Sequence, residues 1–179
     1  MQRSTDRMYA THVGSWQDTL ERARLYVSAI NRSLRGIPPE RVRLHTCYGI
    51  NEGPRVHDAA LADMADTLFT IEAGAFSFEA ANPRHEHVYH VFESVKPPRG
   101  AVLLPGVISH ATNIVEHPDT IADRIVRFAA RRPGERGGQR RLRLLLPGHV
   151  PAGDPPADRL GQVRVASRAA RRATARLWP

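Results

Sequence analysis

A chain of 179 residues, 41% hydrophobic and only 6% aromatic, has room for one modest domain. No run of eighteen apolar residues occurs, and the opening Met1-Gln-Arg-Ser-Thr-Asp-Arg lacks the apolar segment of a signal peptide, so a cytoplasmic protein without a membrane span is expected. The net charge of +8 is uneven: residues 131–179 hold 12 Arg against three acids, a net of +9, which leaves −1 for the first 130. Basicity therefore belongs to the tail, and nucleic acid enters only as a polyanion that this tail would bind without specificity.

Residues 1–17 show no period and read as a loose N-terminal arm ahead of a domain spanning 18–130. From Asp18, Leu20, Ala23, Val27, Ile30 and Leu34 recur at helical spacing, with Asp18 or Thr19 as cap and Gly36 as stop. After the turn Ile37-Pro38-Pro39, residues 41–47 form the first strand. A Gly- and Pro-bearing loop, 48–57, precedes a second helix capped by Asp58 with Leu61, Met64, Ala65 and Leu68 on its apolar face. Residues 75–79 form the second strand, and strand-helix-strand order predicts parallel pairing, with the ends after Cys47 and Glu79 on one rim. Residues 80–99 read as a charged loop or short helix, residues 101–108 as the third strand, 109–116 as its rim loop, and Pro118-Asp119-Thr120 as the start of a third helix. The alternation fits an α/β fold that is part of a (β/α)8 TIM barrel, about half of one, since a whole barrel takes about 250 residues.

Chemistry concentrates at the first two strand ends. Residues two apart on a strand share a face, so His45 and Cys47 converge while Thr46 turns away. Glu79, at the tip of a neighbouring parallel strand, reaches the same point. One nitrogen, one sulfur and one carboxylate oxygen form a donor set that zinc accepts. A lone Cys is otherwise a core residue or a free thiol, and it excludes an internal disulfide. His85, Glu86, His87 and His90 offer a rival cluster, because H-x-H is also a ligand spacing, although solvated side chains are the commoner outcome in such a loop.

The segments Leu44-His-Thr-Cys-Tyr-Gly-Ile-Asn-Glu-Gly-Pro-Arg, Ser77-Phe-Glu-Ala-Ala-Asn-Pro-Arg-His-Glu-His and Leu104-Pro-Gly-Val-Ile-Ser-His resemble, in that order, the cobalamin-independent methionine synthase family. They are nearest its shorter archaeal-type and epoxyalkane:coenzyme M transferase-like branch, and the resemblance spans about residues 25–130. It implies a zinc-dependent methyltransferase that moves a methyl group from methyltetrahydrofolate to the zinc-bound thiolate of homocysteine, in methionine biosynthesis. His45, Cys47 and Glu79 fall on three of the family's four zinc ligands, and His110 on its proton-donating histidine, followed three residues later by Asn113. Arg84 and Asn113 are the expected substrate-binding residues, a guanidinium being suited to gripping a carboxylate or phosphate. Ile108-Ser109 and Ala111-Thr112 depart from the acidic and Ser-Pro neighbours of the long synthases. That departure keeps open a different alkyl donor, with coenzyme M or another small thiol as acceptor.

The tail, 131–179, contains no Ile, Phe, Tyr, Asn, Lys or Met. It reads as a disordered basic tail, as a helix over 163–177, or as an out-of-frame stretch, the last being favoured. The resembled family continues into an Asp-Cys-Gly-Phe strand end carrying its remaining zinc ligand. Arg141-Leu-Arg-Leu can be encoded so that the next frame spells Asp-Cys-Gly. With that ligand lost, the chain alone is expected to be weakly active or a non-catalytic remnant.

Overall fold

The structure, a computed structural model, describes residues 15–48, 58–109, 114–130 and 156–178. Its elements in order are α1 (Trp16–Ser33), a 3-10 turn (Pro39–Arg41), β1 (Arg43–Thr46), α2 (Leu61–Leu68), β2 (Ala75–Glu79), a 3-10 helix (Glu86–Glu93), β3 (Val102–Gly106), α3 (Pro118–Ala130) and α4 (Pro156–Leu177). The three strands form one parallel sheet in the order β1-β2-β3. The described part of the chain is thus mixed α/β, as the alternation of patterns predicts. Among the described residues no helix is long and apolar enough to cross a membrane.

The N-cap of helix α1 lies at least three residues earlier than expected. Ser15 is its N-cap, and Asp18 is the third helical residue of a capping box rather than the cap. The Ser15 backbone N–H donates to Asp18 Oδ2 at 2.7 Å and its hydroxyl at 2.8 Å, while the Asp18 N–H donates to Ser15 Oγ at 3.2 Å. The backbone bond first, then the side-chain bond, hold the Asp18 carboxyl below its ordinary value of 3.8, with the Arg22 charge assisting. A depressed folded value means that the box contributes above pH 3.8 and is lost as pH falls through the lower folded value. A pH titration of the Ser15 amide proton by NMR should therefore show a midpoint below the ordinary carboxylate range. At the other end Gly36 takes φ +81°, the left-handed conformation that stops the helix. Only Val27 of α1 is fully buried, and Asn31 ties the helix down, donating to Thr70 O at 2.9 Å and accepting from Glu72 N at 3.0 Å.

The central strand β2 is buried along nearly its whole length, and its ends coincide with those expected. Phe76 and Phe78 point to one face, where Phe78 packs with Phe92 and Phe128, and Phe76 meets Phe69 edge-on. On β1, Leu44 and Thr46 are half-buried, while Arg43 and His45 are exposed on the opposite face. Gly74 allows the chain to enter β2 beside the 3-10 turn. Its N–H donates to Pro39 O at 2.6 Å, and an added Cβ would lie 2.7 Å from that oxygen and 2.8 Å from Glu40 Cα. Because both obstacles are backbone, Gly74→Ala is expected to cost about 1–3 kcal/mol, read as a lower urea midpoint with an unchanged slope.

Two expectations need correction. Asp58 does not cap α2: the N-cap is Ala60, which makes no side-chain capping bond, and the Asp58 carboxylate instead faces Arg84 and His85, described below. The tail is not irregular over Pro156–Leu177, which is helical. Ala166, Ala169 and Ala173 recur at spacings of three and four and are buried, while Arg172 and Arg176 pair with Asp119 and Asp123 of α3. Small residues let α4 approach α3 closely, and its arginines find acids on the neighbour. Residues 131–155, which include the reading-frame segment, lie outside the described residues.

Candidate functional site

Sheet register assembles the site. His45 pairs with Ser77 and Thr46 with Phe78, so one further step puts Cys47 opposite Glu79 at the carboxyl ends of β1 and β2. Cys47 and Glu79 line one cavity of about 450 Å³ with Tyr48 and Asp58, and Leu61 and Met64 of α2 form part of an apolar wall. Cys47 is an exposed free thiol. Glu79 is 8% exposed, and its Oε1 accepts the Ala81 N–H at 3.0 Å.

His45 sits one step back on the same face, with Nδ1 2.9 Å from Ser77 Oγ. When Nδ1 carries the proton and donates to this hydroxyl, Nε2 keeps the lone pair, the arrangement by which a second residue orients a metal-binding imidazole. Among the described residues no three His, Cys, Asp or Glu side chains are grouped closely enough to hold a metal ion. The structure therefore unites Cys47 and Glu79 at one cavity and holds His45 against Ser77 behind them.

The rival His cluster is dispersed. His85 is buried and turned inward, Glu86 pairs with Arg127 at 2.9 Å and Arg124 at 3.5 Å, and His90 bonds to Glu93 at 3.0 Å. Its spacing belongs to a 3-10 helix whose polar faces each meet a different neighbour.

His85 belongs to a cluster that local sequence patterns do not predict. Its Nδ1 is 2.9 Å from Asn82 Oδ1, its Nε2 is 3.3 Å from Asp58 Oδ2, and the Tyr48 ring stacks on it at 3.8 Å and 7°. Asn82 Oδ1 also accepts the backbone N–H groups of Arg84 and His85, both at 3.0 Å, which fixes it as the acceptor and makes His85 Nδ1 the donor. Arg84, the expected substrate-binding arginine, lies with Nε 3.4 Å from the same Asp58 oxygen and keeps 42% of its side chain exposed. The Asn82-Pro83 pair is a turn signal that foretells the Asn82 bonds. Nothing local connects Asp58 to His85 across 27 positions.

His110 and Asn113 lie outside the described residues, but the chain on either side of them is clamped. Arg124 of α3, 6% exposed, donates to Val107 O at 3.1 Å and to Glu116 Oε1 at 2.6 Å, while Glu116 Oε2 accepts the Ser109 N–H at 2.9 Å. One buried guanidinium thus ties together both flanks of the loop after β3. Comparison with protein-family models, with curated proteins and with solved structures returns no match to this chain.

Proposed function

We propose that this chain is a zinc-dependent methyltransferase domain of the methionine synthase type, transferring a methyl group from methyltetrahydrofolate to the thiol of homocysteine. The observation that carries the reading is the placement of Cys47 and Glu79 on one cavity at adjacent parallel strand ends, with His45 on the same strand face. The motif order around these residues supports it, as does a parallel three-stranded sheet compatible with a portion of a (β/α)8 barrel, in which reactive groups gather at the strand carboxyl ends.

The donors are of the chemical type that the metal takes. By donor type a thiolate, a carboxylate and an imidazole whose other nitrogen meets a hydroxyl are a set that zinc accepts, and His45, Cys47 and Glu79 are the residues that would hold it, although in the structure the three are not grouped closely enough to do so. Bound there, zinc would lower the pKa of a substrate thiol, which near 8.5 is mostly protonated at neutral pH. The apolar wall from α2 would exclude water from the reacting sulfur. His110, by its place after β3, would hand a proton to the departing folate nitrogen, a poor leaving group until protonated. The altered neighbours of His110 keep a second acceptor, the sulfonate thiol coenzyme M, in view.

The metal content of the purified chain tests this reading. Zinc at a fixed stoichiometry that is lost in Cys47→Ser is the expected result, and equal metal in both proteins overturns it.

A further inference from the structure

The amino ends of the strands, opposite Cys47 and Glu79, carry a feature that the proposed reaction does not use. An open cavity of about 940 Å³ lies there, lined by the first residues of β1 and β2 and by Val102 at the start of β3. Three arginines reach it from three elements: Arg41 from the 3-10 turn, Arg43 from β1, and Arg99 from the turn before β3. In that last turn Gly100 takes φ +81° and the Ala101 N–H donates to Pro98 O at 3.0 Å. A second open cavity, of about 470 Å³, runs along α1 and takes in Arg24, Arg32 and Arg35. Thr70 and Glu72 line both, and Asn31 of α1 bonds to the backbone of each, so the two cavities form one continuous surface.

Six arginines meet only two carboxylates on this surface, Glu40 and Glu72, a local balance of +4 in a segment whose sum is −1. All six are exposed, and none forms an ion pair with a described residue, whereas Arg84, Arg124 and Arg127 each face an acid. Cations gathered without counter-ions repel one another and raise the local concentration of anions. Arg24 and Arg32 stand eight residues apart on α1, about 12 Å along its axis, and Arg41, Arg43 and Arg99 lie beyond the shared Thr70 and Glu72. A single phosphate cannot touch cations spread so far; a chain of phosphates can, each gripped by a guanidinium fork.

We propose that this surface binds the sugar-phosphate backbone of a single-stranded nucleic acid. The cations line concave walls, which suit a flexible strand, rather than a ridge that would enter a duplex groove. An anionic bilayer, being flat, would meet such walls only at their rims. Phe69 is the one aromatic residue lining either cavity, and its ring packs edge-on against Phe76, so recognition runs through phosphates and is independent of sequence. The inference goes beyond the methyltransfer reading and stands apart from it, because the two sites occupy opposite ends of the strands.

Fluorescence anisotropy of a labelled oligothymidylate of about twelve nucleotides, titrated with the full chain over a series of salt concentrations, tests the proposal. The logarithm of the binding constant should fall linearly with the logarithm of salt, each phosphate contact adding about 0.7 to the slope. A triple variant, Arg24→Gln with Arg32→Gln and Arg43→Gln, should lower the slope by about 2 and weaken binding about 100-fold at roughly 0.1 M salt. Lysine at the same three positions should restore the slope, since the charge is what the phosphates read. The tail is basic as well, so Arg164→Gln with Arg168→Gln and Arg171→Gln, all exposed on α4, forms the control and should change the slope by less than the groove triple does. Urea midpoints equal to that of the wild type show that the variants fold; single replacements, each lowering the slope by about 0.7, take their place otherwise. An oligonucleotide that does not bind, a slope that the groove triple leaves unchanged, or a larger loss in the tail triple overturns the proposal. Tighter binding to phosphatidylserine vesicles than to the oligonucleotide, or displacement of the strand by pyrophosphate at equal phosphate concentration, overturns it too.

Discussion

Replacing Cys47 by Ser is expected to lower the zinc affinity of the chain by more than the roughly 10- to 100-fold that loss of an outer-shell partner costs a metal site. Three observations set the size of the effect. Cys47 is the chain's only cysteine, so no other thiolate can take its place. It is exposed and lines the cavity, so an entering metal reaches it without unfolding. The other donors on its face are an imidazole and a carboxylate that already hold protein partners, Ser77 and the Ala81 N–H, so neither substitutes for sulfur. Competition with a chromophoric chelator measures the affinity. Ser77→Ala serves as the graded comparison, with an expected loss inside the outer-shell range, because it leaves the proposed ligands and frees the His45 ring. A Cys47→Ser protein that competes for zinc as well as the wild type removes the site.

Arg124→Met is expected to destabilise the fold by about 3–5 kcal/mol, the cost of stripping one partner from a buried ion pair. The Arg124 side chain is 7% exposed, and its two terminal nitrogens serve Glu116, Glu86 and the Val107 carbonyl. Methionine fills a similar volume without the charge, so packing is nearly conserved while two carboxylates and one carbonyl lose their donor. Urea unfolding followed by circular dichroism reads the change. Arg127→Met provides the contrast: that side chain is 44% exposed and among the described residues pairs with Glu86, so a loss of about 0–1 kcal/mol is expected. Equal effects for the two variants would show that the Arg124 network does not hold the α3 face of the sheet.

The elements with strong periodic signals were legible before any coordinates. The Ala75–Glu79 strand, the Pro118 helix start and the parallel pairing follow from apolar runs, a proline that favours the first helical position, and the geometry of a strand-helix-strand unit. Boundaries were less so. The capping box moves the start of α1 to Trp16, because Ser15 and Asp18 satisfy each other, whereas Asp18 alone looks like the cap. The first strand is shorter than its apolar run because Pro39–Arg41 closes a 3-10 turn. The helix of the tail was one of three readings, and three alanines decide it by packing on α3.

For the site, sequence alone determined which donors share a face: the two-residue step from His45 to Cys47 and the parallel order of the strands are local properties of the backbone. Tertiary structure decided the rest. It placed Cys47 and Glu79 at one cavity, turned His45 onto Ser77, and set Asp58, expected as a helix cap, beside Arg84 and His85. The physical reason is that charges and hydroxyls choose partners by distance in space once the chain has folded. Asp58 and His85 are 27 positions apart yet 3.3 Å from nitrogen to oxygen.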